Sequence, residues 1–191
     1  MNKITFVFIL IAVALIGCAS VNADSDGKNT LSSVSNPQEA NSQFLELLQN
    51  EITNRAFAYE TISTESRRNP ESKFWKALLE LETLTKAKFE SASKKYQLSP
   101  NKFVVFFKSM VSNTTLFIAP ETSLKKISSA TDEYLVELKK LQNYCPVTET
   151  DFCRYVIQQE KIHSIALKSM VNGNEKLAVK TINVFVKKHK D

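Results

Sequence analysis

Apolar residues along this chain recur every three to four positions in long runs, the period of an α-helix with one buried face. No stretch shows the two-residue alternation of a half-buried strand. Five prolines, Pro37, Pro70, Pro100, Pro120 and Pro146, fall between the periodic segments. There proline suits the first turn of one helix and ends the helix before it. Asn36, Asn69 and Ser99 precede three of them and are expected to cap the helices that follow. The pattern predicts helices over 38–67, 71–97, 101–113, 121–143 and 148–172, a stop at Gly173, and a last helix over 174–189. The expected fold is all-α: four long helices with short connections, a shorter insert between the second and third, and an extra C-terminal helix.

Polar residues on the apolar stripes are where chemistry would sit, because a buried charge without a partner is costly. In the helix over 148–172, Phe152, Val156, Leu167 and Met170 mark the stripe, and the helical period places Glu160 and His163 inside it. In the helix over 71–97, Trp75, Leu78, Phe89 and Tyr96 form the stripe, with Glu82 and Thr85 among them. On the first helix Leu47, Leu48, Ala58 and Ile62 bracket Glu51, which falls nearer the edge. Leu124, Ile127, Tyr134, Leu138 and Leu141 make the seam of the helix over 121–143, with Glu137 at its border. The insert, Lys102 to Ile118, has too many apolar residues for one narrow stripe and is too short to span a bilayer. It is expected to pack as a cap across the bundle. The alternative is an exposed apolar surface at Phe103, Phe106, Phe107 and Phe117 that meets the membrane or a partner protein.

The first residues carry an address. A short basic start, Met1-Asn2-Lys3, precedes an apolar run from Ile4 to Ile16, the layout of a secretory signal peptide. Leu15-Ile16-Gly17-Cys18 resembles the lipobox of bacterial lipoproteins, where cleavage before the cysteine leaves it acylated on sulfur and amine. That resemblance implies a signal peptide over 1–17, a lipidated, palmitate-bearing Cys18, and an anchor in the cell envelope. By the same analogy, Ala19 after the cysteine favours the outer membrane, facing the periplasm. Cleavage after Val21-Asn22-Ala23 is the alternative and would leave a secreted protein. Residues 18–36 then read as the lipidated cysteine and a polar, serine-rich tether, and 37–191 as the helical domain. Such a tether spans about 23 Å r.m.s. as a flexible coil.

Composition narrows the chemistry further. With 43% hydrophobic and 24% charged residues, the chain can bury a core like an ordinary globular domain. The three glycines, Gly17, Gly27 and Gly173, leave none between Lys28 and Asn172. Phosphate-cradling loops and nucleophile elbows, which need glycine where backbone turns left-handed or approaches a ligand, are therefore excluded. The net charge of +5 is spread among acids except at Lys187-Lys188-His189-Lys190, which reads as a solvated helix end rather than a nucleic-acid site. Cys145 and Cys153 flank the expected turn between the third and fourth long helices and are predicted to form a disulfide in an oxidising compartment. Two buried thiols are the alternative. With His189 in the basic tail, His163 is the one imidazole placed for catalysis, and no Ser/His/Asp or Cys/His arrangement accompanies it.

The Glu/His pattern over 38–172 resembles the ferritin-like superfamily, rubrerythrin-like proteins in particular, where two helices each supply a glutamate and two others each supply Glu-x-x-His. Glu160-Lys161-Ile162-His163 matches one such element. Glu82-Thr83-Leu84-Thr85 keeps the glutamate but has threonine in place of histidine. Glu51 matches the glutamate of the first helix, and Glu137 weakly that of the third. The resemblance implies a four-helix bundle and a degenerate metal site at Glu51, Glu82, Glu160 and His163 that would take iron or manganese. The loss at Thr85 argues against a full di-iron oxidase. The preferred expectation is binding or scaffolding at the membrane, with a partner in the envelope. The rival is redox or metal handling through the Glu/His layer, and the alternative for that layer is a hydrogen-bonded core that fixes helix register.

Overall fold

The computed structural model describes residues 37–190. The expected signal peptide, Cys18 and the tether fall outside them. The helices are α1 (Pro37–Arg68), α2 (Lys73–Tyr96), α3 (Lys102–Ile118), α4 (Pro120–Leu138), the single turn α5 (Leu141–Tyr144), α6 (Thr150–Val171) and α7 (Glu175–His189). A 3₁₀ turn, Val147–Glu149, leads into α6. No strand occurs among the described residues, so the all-α expectation holds.

Local chemistry sets most of the boundaries. Ser72, Asn101 and Asn174 cap α2, α3 and α7 by accepting from the backbone N–H of Trp75, Val104 and Leu177. The first two of these caps come two or more residues later than the sequence suggested, because Pro70 and Pro100 sit in the connections rather than in the helices. Asn69 instead closes α1, donating from its amide to the Glu65 carboxylate at 3.1 Å. Gly173 adopts φ +72° and ends α6 with bonds from its own N–H to Met170 and from Asn174 N–H to Ser169. Two further expectations are corrected. The insert helix continues to Ile118 instead of stopping near 113. The helix expected over 121–143 breaks at Lys139 and Lys140, where tightened backbone bonds carry both Leu138 and Leu141 into the core while the lysines stay exposed.

The helices form a ring. α1 packs beside α2 and α3, α4 beside α3 and α6, and α7 between α2 and α6. Phe44, Leu48, Phe74, Leu78, Leu81, Val156 and Ile182 fill its apolar interior and are essentially inaccessible to solvent. The insert α3 does not lie as a cap across the bundle. It runs alongside α1 in the same direction, with Asn101 bonded to Thr53, Lys108 to Asn54 and Arg68 to the Asn113 carbonyl. A disulfide joins Cys145 to Cys153, whose Cα atoms lie 6.5 Å apart, and ties the turn before α6 to its first turn. Asp132 on α4 accepts from Ser164 at 2.6 Å and pairs with Lys168 at 2.9 Å, clamping α4 to α6.

Candidate functional site

Midway along the bundle, side chains from four helices meet in one buried polar layer. α1 contributes Glu51 and Arg55, α2 contributes Glu82 and Thr85, α4 contributes Tyr134, and α6 contributes Tyr155, Gln159, Glu160 and His163. Glu51 is fully buried, deeper than its place at the stripe's edge suggested. Glu137 is exposed and pairs with Lys140, so the glutamate weakly matched on α4 takes no part. Its neighbour one turn earlier, Tyr134, faces inward instead and donates its hydroxyl to Glu51.

The guanidinium of Arg55 lies at the centre. Its Nη1 donates to Glu82 Oε1 at 3.0 Å and contacts His163 Nδ1 at 3.0 Å; its Nη2 donates to Glu160 Oε2 at 2.8 Å. Its Nε approaches Glu51 Oε1 to 3.0 Å, an ion contact without hydrogen-bond alignment. One cation thus links three carboxylates on three helices. A rigid planar fork suits this, and a lysine ammonium could not reproduce it. The site expected for a metal at Glu51, Glu82, Glu160 and His163 brings those residues together, but around an arginine. The arrangement does not fit a metal ion: a fixed positive charge holds the carboxylate oxygens that would ligate it. No grouping of three or more His, Cys, Asp or Glu among the described residues is set to hold a metal.

Thr85, where the second histidine of the ferritin-like pattern would fall, lies 3.0 Å from the Tyr155 hydroxyl in a hydrogen bond from α2 to α6. Gln159 donates its amide N–H to Glu82 Oε1 at 3.3 Å and its Nε2 lies 3.0 Å from His163 Nδ1, while its own Oε1 is without a hydrogen bond. His163 Nε2 sits 2.9 Å from Glu82 Oε1.

Burial and charge pull the titrations in opposite directions. Burial raises Glu51 to about 7, with Arg55 only partly opposing it. Burial also works against the charged forms of His163 and Glu160, and in both it loses. The Glu82 charge and hydrogen bonds to Glu160 and Glu82 lift His163 to about 9, and Arg55 and His163 hold Glu160 below the ordinary carboxylate range. Arg55 is likewise desolvated, yet Glu160, Glu51 and Glu82 keep it firmly charged. A partly protonated Glu51 beside two cations leaves the layer close to neutral near pH 7, the condition under which a buried cluster is tolerated.

Two surface grooves lie away from this layer. A groove of about 410 Å³ runs over α2 at Leu79 and Thr83, and one of about 360 Å³ lies between α6 and α7 at Ile162 and Leu177; neither touches a residue of the layer. Arg55, Tyr134, Tyr155 and Gln159 are the members that the sequence reading did not assign. Arg55 was findable: three carboxylates on buried stripes demand a counter-charge, and Arg55 stands four residues from Glu51 on the same helix face. No protein family, curated protein or solved structure matches this chain.

Proposed function

We propose that this chain is a membrane-anchored envelope lipoprotein whose helical domain works by binding or scaffolding rather than by catalysis. In this reading the fold is a divergent ferritin-like bundle in which Arg55 takes the place that metal ions take in that superfamily. The supporting observation is the guanidinium lodged among Glu82, Glu160, Glu51 and His163, which turns a ligand set into a closed ion cluster. Such a cluster fixes the register of α1, α2 and α6.

The rival reading is a metal-handling protein that would use iron or manganese at Glu51, Glu82, Glu160 and His163. Metal analysis of protein purified from unchelated medium separates the two. The expected result is no stoichiometric iron, manganese or zinc and no rise in melting temperature when these are added, since preferential binding to the folded state would raise it. Stoichiometric metal that is lost in His163→Ala would establish the rival. Anchoring is tested separately by detergent partitioning: the wild type is expected in the detergent phase and Cys18→Ser in the aqueous phase. Aqueous partitioning of both would remove the lipoprotein reading.

A further inference from the structure

α3 turns an apolar ridge, interrupted by Thr114, away from the molecule. Phe103, Phe106, Met110 and Phe117 share one helix face and are 76%, 66%, 43% and 70% exposed, and Ile118 at the end is 58% exposed. The opposite face, Val105, Ser109 and Leu116, is buried within the ring. Phe107 flanks the ridge, stacked on Phe103 with centroids 6.4 Å apart. Taking about 200 Å² for a whole aromatic side chain, the ridge presents roughly 600 Å² of apolar surface. That is the upper end of what a monomer leaves bare. Its length, from Phe103 to Phe117 along the helix, is about 21 Å.

Cations stand along the ridge. α3 contains no acid, and the stretch from Asn101 to Ala130 holds Lys102, Lys108, Lys125 and Lys126 against Glu121 alone. Lys102 is exposed in the first turn. Lys108 sits on the α1 side, bonded to Asn54 at 3.3 Å and 6.0 Å from the Phe57 ring. Arg68, paired with Glu65, also covers the Phe117 ring at 5.2 Å. Asp132 marks the α6 side of α4. The helical period puts exposed Lys126 on the other flank, toward α3, together with exposed Glu133 and with Glu137, which pairs with Lys140.

We propose that α3 is a bilayer-docking helix. The ridge of Phe103, Phe106, Met110 and Phe117 enters the boundary between headgroups and acyl chains of an anionic membrane, and Lys102, Lys126 and Arg68 lie at the level of the phosphates. Because α3 runs along α1, the domain rests on its side, with α7 turned away across the ring. This rests on the membrane-anchored reading, which keeps the domain within reach of lipid. A second copy of the chain is the competing occupant. Two facing ridges would bury only about 1,200 Å², the floor of stable interfaces.

The test uses the full chain with a tryptophan reporter at Phe106→Trp on α3 or at Val184→Trp on α7, where Val184 is also exposed. Trp75, buried in α2, contributes the same background to both. The probe is vesicles of phosphatidylglycerol and phosphatidylcholine with brominated acyl chains. Phe106→Trp should blue-shift and lose more than half its added emission, Val184→Trp should not change, and the quenching should fall several-fold in 1 M salt. Vesicle-bound protein with an unquenched Phe106→Trp, or equal quenching at both positions, would overturn the proposal. So would a blue shift without lipid that tracks protein concentration together with a dimer's mass in ultracentrifugation, which would assign the ridge to a second copy. The reporter reads contact at α3 itself, so a failure of Cys18 lipidation in detergent partitioning stays distinguishable from a failure of docking.

Discussion

Removing the Arg55 guanidinium is the most informative perturbation of this protein. Arg55→Ala leaves Glu51, Glu82 and Glu160 facing one another in a buried layer with their common cation gone. Breaking a buried pair by deleting one partner costs about 3–5 kcal/mol, and a cation shared by three carboxylates belongs at the upper end. Glu51 offsets part of this by taking up a proton, since burial already raises it to about 7. Against a total stability of about 5–15 kcal/mol this is a large fraction. At about 2–4 °C per kcal/mol for a domain of this size, the melting temperature should fall by roughly 10–20 °C. Arg55→Lys should fall between, since an ammonium keeps the charge but loses the fork. Arg55→Met combined with Glu82→Gln and Glu160→Gln should recover much of the loss, because it removes the unpaired charges together. The assay is circular-dichroism melting at pH 7 and again at pH 4.5, where protonation of the freed carboxylates should narrow the gap between Arg55→Ala and wild type. An Arg55→Ala protein melting within about 3 °C of wild type at pH 7 would refute the claim that this cation holds the layer together.

Two further outcomes follow from the same structure. Between about pH 4.5 and 7 the native state holds a proton on Glu51, and between about pH 6.5 and 9 one on His163, that the unfolded chain releases. Stability should therefore fall as pH rises from 5 to 9, by about 3 kcal/mol for each group, while Glu160, lowered in the native state, gives a separate loss at acid pH. Urea midpoints at pH 5, 7 and 9 check this, and a midpoint that is flat or rises across that range would contradict it. Reducing the Cys145–Cys153 disulfide frees a short loop worth about 2–3 kcal/mol in the chain-entropy model, so a reductant should lower the melting temperature by roughly 5–10 °C. Non-reducing mass spectrometry should find the two cysteines in one linked peptide pair; two freely alkylated thiols would refute the bond.

What the chain determines locally was legible before any coordinates. The 3.6-residue period is set by backbone hydrogen bonds within each helix, so it placed Leu78, Glu82 and Phe89 on one face of α2 and Val156, Glu160 and His163 on one face of α6. Gly173 as a helix stop and the nearness of Cys145 to Cys153 are equally local, resting on a few residues of backbone geometry. The rotation of one helix about its axis against its neighbours is not local. A shift of less than a turn decides that Tyr134 enters the layer on α4 while Glu137 remains in water, and that Glu51 is buried rather than marginal. Likewise, nothing within the apolar run of α3 states which of its faces meets α1 and which is left bare. Most of all, Arg55 meets Glu82 and Glu160 across 27 and 105 residues of chain. Only the assembled ring brings them within 3.0 Å, and that proximity turns four scattered polar positions into a single ion cluster.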